Sequence, residues 1–177
     1  MKTALVIGAS GLIGMDCTNL LLAEDSIEEV IVLVRKELPI SHPKLKQVLT
    51  DFNNIEAFKE RIKADIILCC IGSTMKKAGT KSNYELIDRI YPQKVAKIAL
   101  ENGADHFLLV SAMGANINSS IFYSRLKGLI ENDIKQLGYN TVSIFRPSLL
   151  VGNRKEYRCR ESFAIKLMKI INPLLSG

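Results

Sequence analysis

Tyr123-Ser124-Arg125-Leu126-Lys127 places a phenol and an ammonium four residues apart, which is one face of a helix. An ammonium beside a phenol stabilises the phenolate, so such a tyrosine can exchange a proton with an alcohol near neutral pH. The same spacing also arises on any helix whose lysine stem lies along a tyrosine ring, so the pair alone does not establish a function. Twelve residues earlier, Ser111 ends the apolar run Phe107-Leu108-Leu109-Val110; a serine at the carboxyl end of a strand can hydrogen-bond a substrate oxygen. A third feature stands at the start of the chain, where the apolar run from Thr3 to Ile7 breaks into Gly8-Ala9-Ser10-Gly11-Leu12-Ile13-Gly14. Glycine at position 8 permits a tight turn, Gly11 removes a Cβ from the path of a pyrophosphate, and Gly14 lets a helix approach its strand. The helix that follows turns free N–H groups toward an anion.

These groups need elements to hold them, and the chain alternates apolar runs with amphipathic stretches. Strands are expected near Ala4 to Ile7, Val30 to Val34, Gln47 to Leu49, Ile66 to Cys70, Phe107 to Val110 and Val142 to Phe145. Helices are expected from Leu12 to Ala23, Ile55 to Ile62, Tyr84 to Asn102, Ile121 to Leu137 and Phe163 to Ile171. Strands this uniformly apolar are covered on both faces, so the fold class is α/β: a doubly wound, mostly parallel sheet with helices on both faces, a Rossmann fold. At 177 residues the chain has room for one domain of ordinary size, with substrate-side elements at 146–177. The Pro-bearing loop from Glu37 to Pro43 reads as a surface connection.

Composition excludes several classes. No apolar run approaches the ~20 residues that span a bilayer, and Met1-Lys2 leads directly into a core strand without a signal peptide, so a cytoplasmic protein without membrane association is expected. Residues 1–122 hold 14 basic and 14 acidic side chains, and residues 123–177 hold 10 and 4, so the whole net charge of +6 is C-terminal. No basic helix with interleaved aromatics accompanies it, which argues for an anionic small ligand and against nucleic acid. Arg154, Lys155, Arg158 and Arg160 read as a solvated basic segment. Cys17, Cys69, Cys70 and Cys159 have neither metal spacing nor a disulfide framework and read as reduced thiols, with Cys70 placed to meet a ligand at a strand end. His42 and His106 read as surface residues without metal partners, and Asp88-Arg89 as a structural pair.

Together, the glycine loop, Ser111 and the Tyr123–Lys127 pair resemble the short-chain dehydrogenase/reductase superfamily. Leu86-Ile87-Asp88-Arg89, Val110-Ser111-Ala112-Met113-Gly114-Ala115 and Phe145-Arg146-Pro147-Ser148-Leu149-Leu150 are similar to its small atypical Tat-interacting-protein group and bacterial relatives. The resemblance covers nearly the whole chain. It implies Gly8, Ser10, Gly11, Leu12 and Ile13 around a pyrophosphate, Asp51 and Phe52 near adenine, and Cys70, Ile71 and Gly72 along a ribose. It further implies Pro147, Ser148 and Leu149 beside the nicotinamide, Tyr123 as proton donor, Ser111 as its substrate-orienting partner, and Lys127 on the nicotinamide ribose. Asp51 reads equally well as a cap before Asn53-Asn54. Two departures stand out: Leu86-Ile87-Asp88 occupies the region where the best-known reductases carry a relay asparagine, and relatives continue past the position of Gly177. The latter means either an open pocket or a longer chain.

After the second strand stand Arg35 and Lys36, where an acidic residue would accept from a ribose 2′-hydroxyl. A guanidinium there suits a 2′-phosphate, so NADP(H) is favoured over NAD(H). The expected function is NADP(H)-dependent hydride transfer on a small carbonyl or alcohol, by a monomer or homodimer. The alternative is an NADP(H)-binding sensor that reports to a protein partner without turnover; a nucleotide-sugar epimerase or dehydratase ranks below both.

Overall fold

Apolar, β-branched runs give six strands, β1 (Lys2–Ile7), β2 (Ile27–Val34), β3 (Leu45–Leu49), β4 (Ile66–Cys69), β5 (His106–Val110) and β6 (Thr141–Phe145). The structure is a computed structural model that describes residues 1–148. The six strands form one parallel sheet in the order β3-β2-β1-β4-β5-β6. This is the Rossmann order, with its switch point between β1 and β4, as the expected fold class requires. Residues Met1–Pro147 make a compact unit. The expected helix at 163–171, the basic segment 154–160, Cys159 and Leu149 lie outside the described residues.

The helices are α1 (Leu12–Ala23), α2 (Met75–Ala78), α3 (Lys81–Glu85), α4 (Tyr91–Glu101) and α5 (Phe122–Lys135). Successive strand residues point to opposite faces, and the core divides accordingly. Leu5, Ile7, Ile31, Leu33, Ile67, Phe107 and Leu109 pack with Val95 and Ile98 of α4 and Ile130 and Ile134 of α5. Ala4, Val6, Val30, Val32 and Val34 pack on the other face with Leu22 of α1.

Three expectations are corrected. The helix expected from Ile55 to Ile62 is a 3-10 segment over Phe52–Arg61, irregular at Asn54. The single helix expected from Tyr84 to Asn102 is α3, a π turn over Leu86–Ile90, and α4. The i, i+4 periodicity of the sequence does not register the one extra residue that a π turn accommodates. The 37–43 loop is more than a surface connection: Leu38 is buried, and the Gln47 side chain bonds the Leu38 N–H and the carbonyls of Leu38 and Ile40.

Candidate functional site

Because all six strands are parallel, their carboxyl ends lie along one edge of the sheet. That edge carries the glycine loop after β1, Arg35 and Lys36 after β2, Asp51 after β3, Cys70–Gly72 after β4, Ser111 after β5, and Arg146–Ser148 after β6. A cavity of about 300 Å³ opens instead at the amino ends, among Thr3, Glu29, Lys46, Arg61 and Asp65. Its charges are mixed and lie at the edge where open α/β sheets do not bind their ligands.

The glycine loop is built as its spacing suggests. Gly8 has φ +85°, and a Cβ there would sit 2.5 Å from the backbone of Cys70 and Ile71. A Cβ on Gly14 would run into the Gly8 carbonyl, so α1 reaches β1 only because position 14 is glycine. At Gly11 a Cβ would meet nothing nearer than the Gly8 carbonyl at 3.2 Å. Helix α1 starts at Gly11 with no side-chain cap and no acidic residue in its first turn. A twelve-residue helix whose amino end is left bare at a glycine turn fits a pyrophosphate by both hydrogen bonding and dipole. Ser10 and Gly11 are exposed, and Leu12 and Ile13 half-buried.

Further along the edge, Arg35 and Lys36 are exposed immediately beyond β2. Asp51 caps the 3-10 segment, accepting from the N–H of Asn53 at 2.9 Å and from its Nδ2 at 3.1 Å. The capping assignment left open above is therefore present in the structure. Phe52 is buried and stacks on Tyr91 at 5.5 Å, and the Tyr91 hydroxyl donates to Asn53 Oδ1 at 2.5 Å. Burial and then the Asp51 charge raise the Tyr91 phenol above its ordinary value. Cys69 is buried, which pushes its thiol up to about 12, and Cys70 is half-buried. A thiol held that high is protonated and inert at neutral pH. His106 is not a surface residue, as expected above, but half-buried, with Nε2 2.9 Å from Ser143 Oγ across β5 and β6. His42 is exposed beside the Lys44 N–H, and no metal-binding cluster occurs among the described residues.

Helix α5 carries Tyr123, Lys127 and Glu131 at successive four-residue intervals, a single stripe. Gly128 lets this helix close on the loop after β5, since a Cβ there would strike the backbone of Asn116 and Ile117. Tyr123 is half-buried, with its ring stacked on Tyr84 at 6.4 Å. Lys127 is buried and its Nζ lies 3.2 Å from Asp88 Oδ1. Asp88 also accepts from the Ser73 N–H at 2.7 Å, and both Asp88 and Lys127 border Gly72, where a Cβ would lie 3.5 and 3.9 Å from them. Ser111 is buried, and its Oγ donates to Glu131 Oε1 at 2.5 Å. Arg146 closes on the same carboxylate, Nε to Oε1 at 2.9 Å and Nη2 to Oε2 at 2.5 Å. Burial pushes the Glu131 carboxyl up, but the bonds from Arg146 and then Ser111 outweigh it and hold it below the usual carboxylate range.

Asp88 and Arg89 are not a pair with each other. Each reaches across to α5, Asp88 to Lys127 and Arg89 to Asp133 at 2.7 Å. The π turn is what directs Asp88 there, and no sequence periodicity announces it. Glu131 was legible in principle, because it repeats the four-residue spacing of Tyr123 and Lys127 by one more turn.

A family model described as NAD(P)H-binding matches residues 8–139. The chain is 31% identical to Protein HTATIP2 of Rattus norvegicus over 169 residues, 93% of this chain and 69% of that protein. It is 33% identical to the mitochondrial protein FMP52 of Candida albicans over 156 residues, 85% of this chain and 68% of that protein. Among solved structures, the Bordetella bronchiseptica enzyme WbmH in complex with NAD+ superposes with a TM-score of 0.76 at 19% identity. That match covers 96% of this chain but only 63% of WbmH, and it bears on the fold.

Proposed function

Given that this chain belongs to the NAD(P)H-binding family it shares with HTATIP2 and FMP52, we propose that it is an NADP(H)-dependent oxidoreductase of the atypical short-chain type, acting on a carbonyl–alcohol pair. The observation that carries this reading is the stripe on α5: a phenol and a buried ammonium one turn apart, the ammonium bordering Gly72 at the carboxyl edge of the sheet. The nicotinamide, when bound, supplies the hydride donor or acceptor. The protein's own residues do the rest. The bare start of α1 and the glycine loop hold the pyrophosphate, with Ser10, Gly11, Leu12 and Ile13 nearest to it. Phe52 and Asp51 border the adenine, and Arg35 with Lys36 reads the 2′-phosphate. Cys70 to Gly72 and Pro147 with Ser148 flank the two ends of the nicotinamide riboside. Tyr123 gives or takes the proton at the substrate oxygen, and Lys127 holds ribose hydroxyls and favours the phenolate. Ser111 faces the substrate oxygen.

A second reading is favoured by one observation: Lys127 and Ser111 are both already engaged by buried carboxylates. In that reading the protein binds NADP(H) and signals its redox state to a protein partner without turnover. NADPH oxidation against a panel of aldehydes and ketones, run beside partner capture with and without NADPH, separates the two. Turnover that disappears in Tyr123→Phe supports the reductase; silence across the panel with cofactor-dependent capture supports the sensor. The UDP-glucose held by MoeE5 and by the UDP-glucose 4-epimerase of Thermotoga maritima belongs to proteins that share only the fold with this chain. Cytoplasmic residence is part of the proposal, and no helix among the described residues is long and apolar enough to cross a membrane. Cell fractionation tests it against the mitochondrial location in the name of FMP52.

A further inference from the structure

A serine hydroxyl has one proton to donate and two lone pairs to accept with. At Ser111 that proton is committed, because Oγ donates to Glu131 Oε1 at 2.5 Å with both residues almost fully buried. The acceptor is itself immobilised. Arg146 grips both carboxylate oxygens, and a guanidinium fork on a carboxylate fixes the plane of the group as well as its position. An ionised carboxylate can only accept, so Ser111 is the donor of that bond. Its backbone is fixed too, the Ser111 N–H donating to the Phe145 carbonyl at 2.8 Å. The neighbouring cations do not compete for Glu131: Lys127, one turn earlier on α5, lies against Asp88, and Lys135, one turn later, acts on Glu131 only through its charge. What Ser111 has left to offer a ligand is lone pairs.

We propose that Glu131 is a positioning residue that holds the Ser111 hydroxyl as a hydrogen-bond acceptor, so that the site selects the alcohol of a carbonyl–alcohol pair over the carbonyl. This rests on the reading above in which Ser111 faces the substrate oxygen. In the bound ground state an alcohol hydroxyl can donate to the free lone pairs of Ser111, and the same proton turns to Tyr123 when the phenolate takes it. A carbonyl oxygen only accepts, finds no donor there, and is left with Tyr123 alone. Removing Glu131 returns the serine proton to the site and weakens the preference, whereas a purely structural Glu131–Arg146 pair would change stability and leave the preference untouched.

The first measurement needs no substrate. In protein carrying ¹³C at serine Cβ, the shift between H₂O and D₂O reports how fast each hydroxyl proton exchanges. A slowly exchanging hydroxyl, assigned by its loss in Ser111→Ala, is expected in the wild type and in Glu131→Gln, whose carboxamide oxygen still accepts, and not in Glu131→Leu. Fast exchange at Ser111 in the wild type overturns the proposal. The second measurement uses the carbonyl–alcohol pair found in the panel, with both affinities for the enzyme–cofactor complex measured in a Tyr123→Phe background that does not turn over. Adding Glu131→Leu should lower the ratio of alcohol to carbonyl affinity by roughly three- to ten-fold, one hydrogen bond's worth, with Glu131→Gln close to the parent. An unchanged ratio in folded Glu131→Leu overturns the proposal. Full turnover by Tyr123→Phe alone would instead sink the short-chain mechanism, and the exchange measurement would still decide the state of Ser111.

Discussion

At the scale of single residues, the proposed chemistry separates into a proton path and a phosphate reader, and each can be removed alone. Tyr123→Phe keeps the ring that stacks on Tyr84 and deletes only the hydroxyl. NADPH affinity should therefore be retained while turnover falls by about 10²–10⁴-fold, the contribution of general acid–base catalysis. Steady-state kinetics beside a fluorescence titration checks both. Arg35 stands exposed past the end of β2. Arg35→Ala should weaken NADPH binding by about 1.5–3 kcal/mol, the range for hydrogen bonds to charged groups, and leave NADH nearly unchanged. Calorimetric titration with both cofactors is the measurement; equal losses for the two would mean that Arg35 supports the loop instead of reading a phosphate.

At the scale of elements, the π turn between α3 and α4 is the device that gives Lys127 its surroundings. It sends Asp88 and Arg89 to α5 as two separate ion pairs, one buried and one partly exposed. Taking a charge out of water is costly unless its partner stays with it, and removing one member of a buried pair typically costs about 3–5 kcal/mol. Asp88→Asn should therefore lower unfolding stability by about that amount in a denaturant titration, because Lys127 is left buried with its charge. The double variant Asp88→Asn, Lys127→Met should recover much of the loss, since no uncompensated charge remains. Purely additive losses would mean that the two residues are not energetically coupled, and that the turn serves packing alone. Gly14 and Gly128 belong to the same scale. Each is a place where a helix approaches a loop backbone closely enough that any side chain would collide.

At the scale of the whole molecule, buried Glu131 ties the end of β5, the middle of α5 and the exposed Arg146 after β6 into one hydrogen-bonded cluster. Its carboxyl is held below the ordinary value of 4.5. A depressed carboxyl contributes stability that is complete above its unfolded-state pKa and is lost as the pH falls through the lower, folded value. Wild type should thus lose stability more steeply below about pH 4.5 than Glu131→Gln, with parallel curves at neutral pH, in thermal unfolding followed across pH. The parallel sheet and the glycine loop were legible in the sequence, because apolar strand runs and glycine-permitted turns are local properties that short stretches of chain impose on themselves, whereas the strand order came only with the fold. The Tyr123–Lys127 spacing was legible for the same reason. Asp88, Gly128 and Arg146 were not, and Glu131 was legible only as a further repeat of that spacing, not in the partners it binds. Each acts on residues that lie 15 to 39 positions away or on a backbone from another element, and only the folded chain brings them into contact. The sequence by itself therefore determined the fold class and the residue types at its carboxyl edge. The tertiary structure decided which of those residues are held and in what hydrogen-bonding state, because burial removes water as an alternative partner and leaves each charge or hydroxyl only the neighbours that the fold supplies.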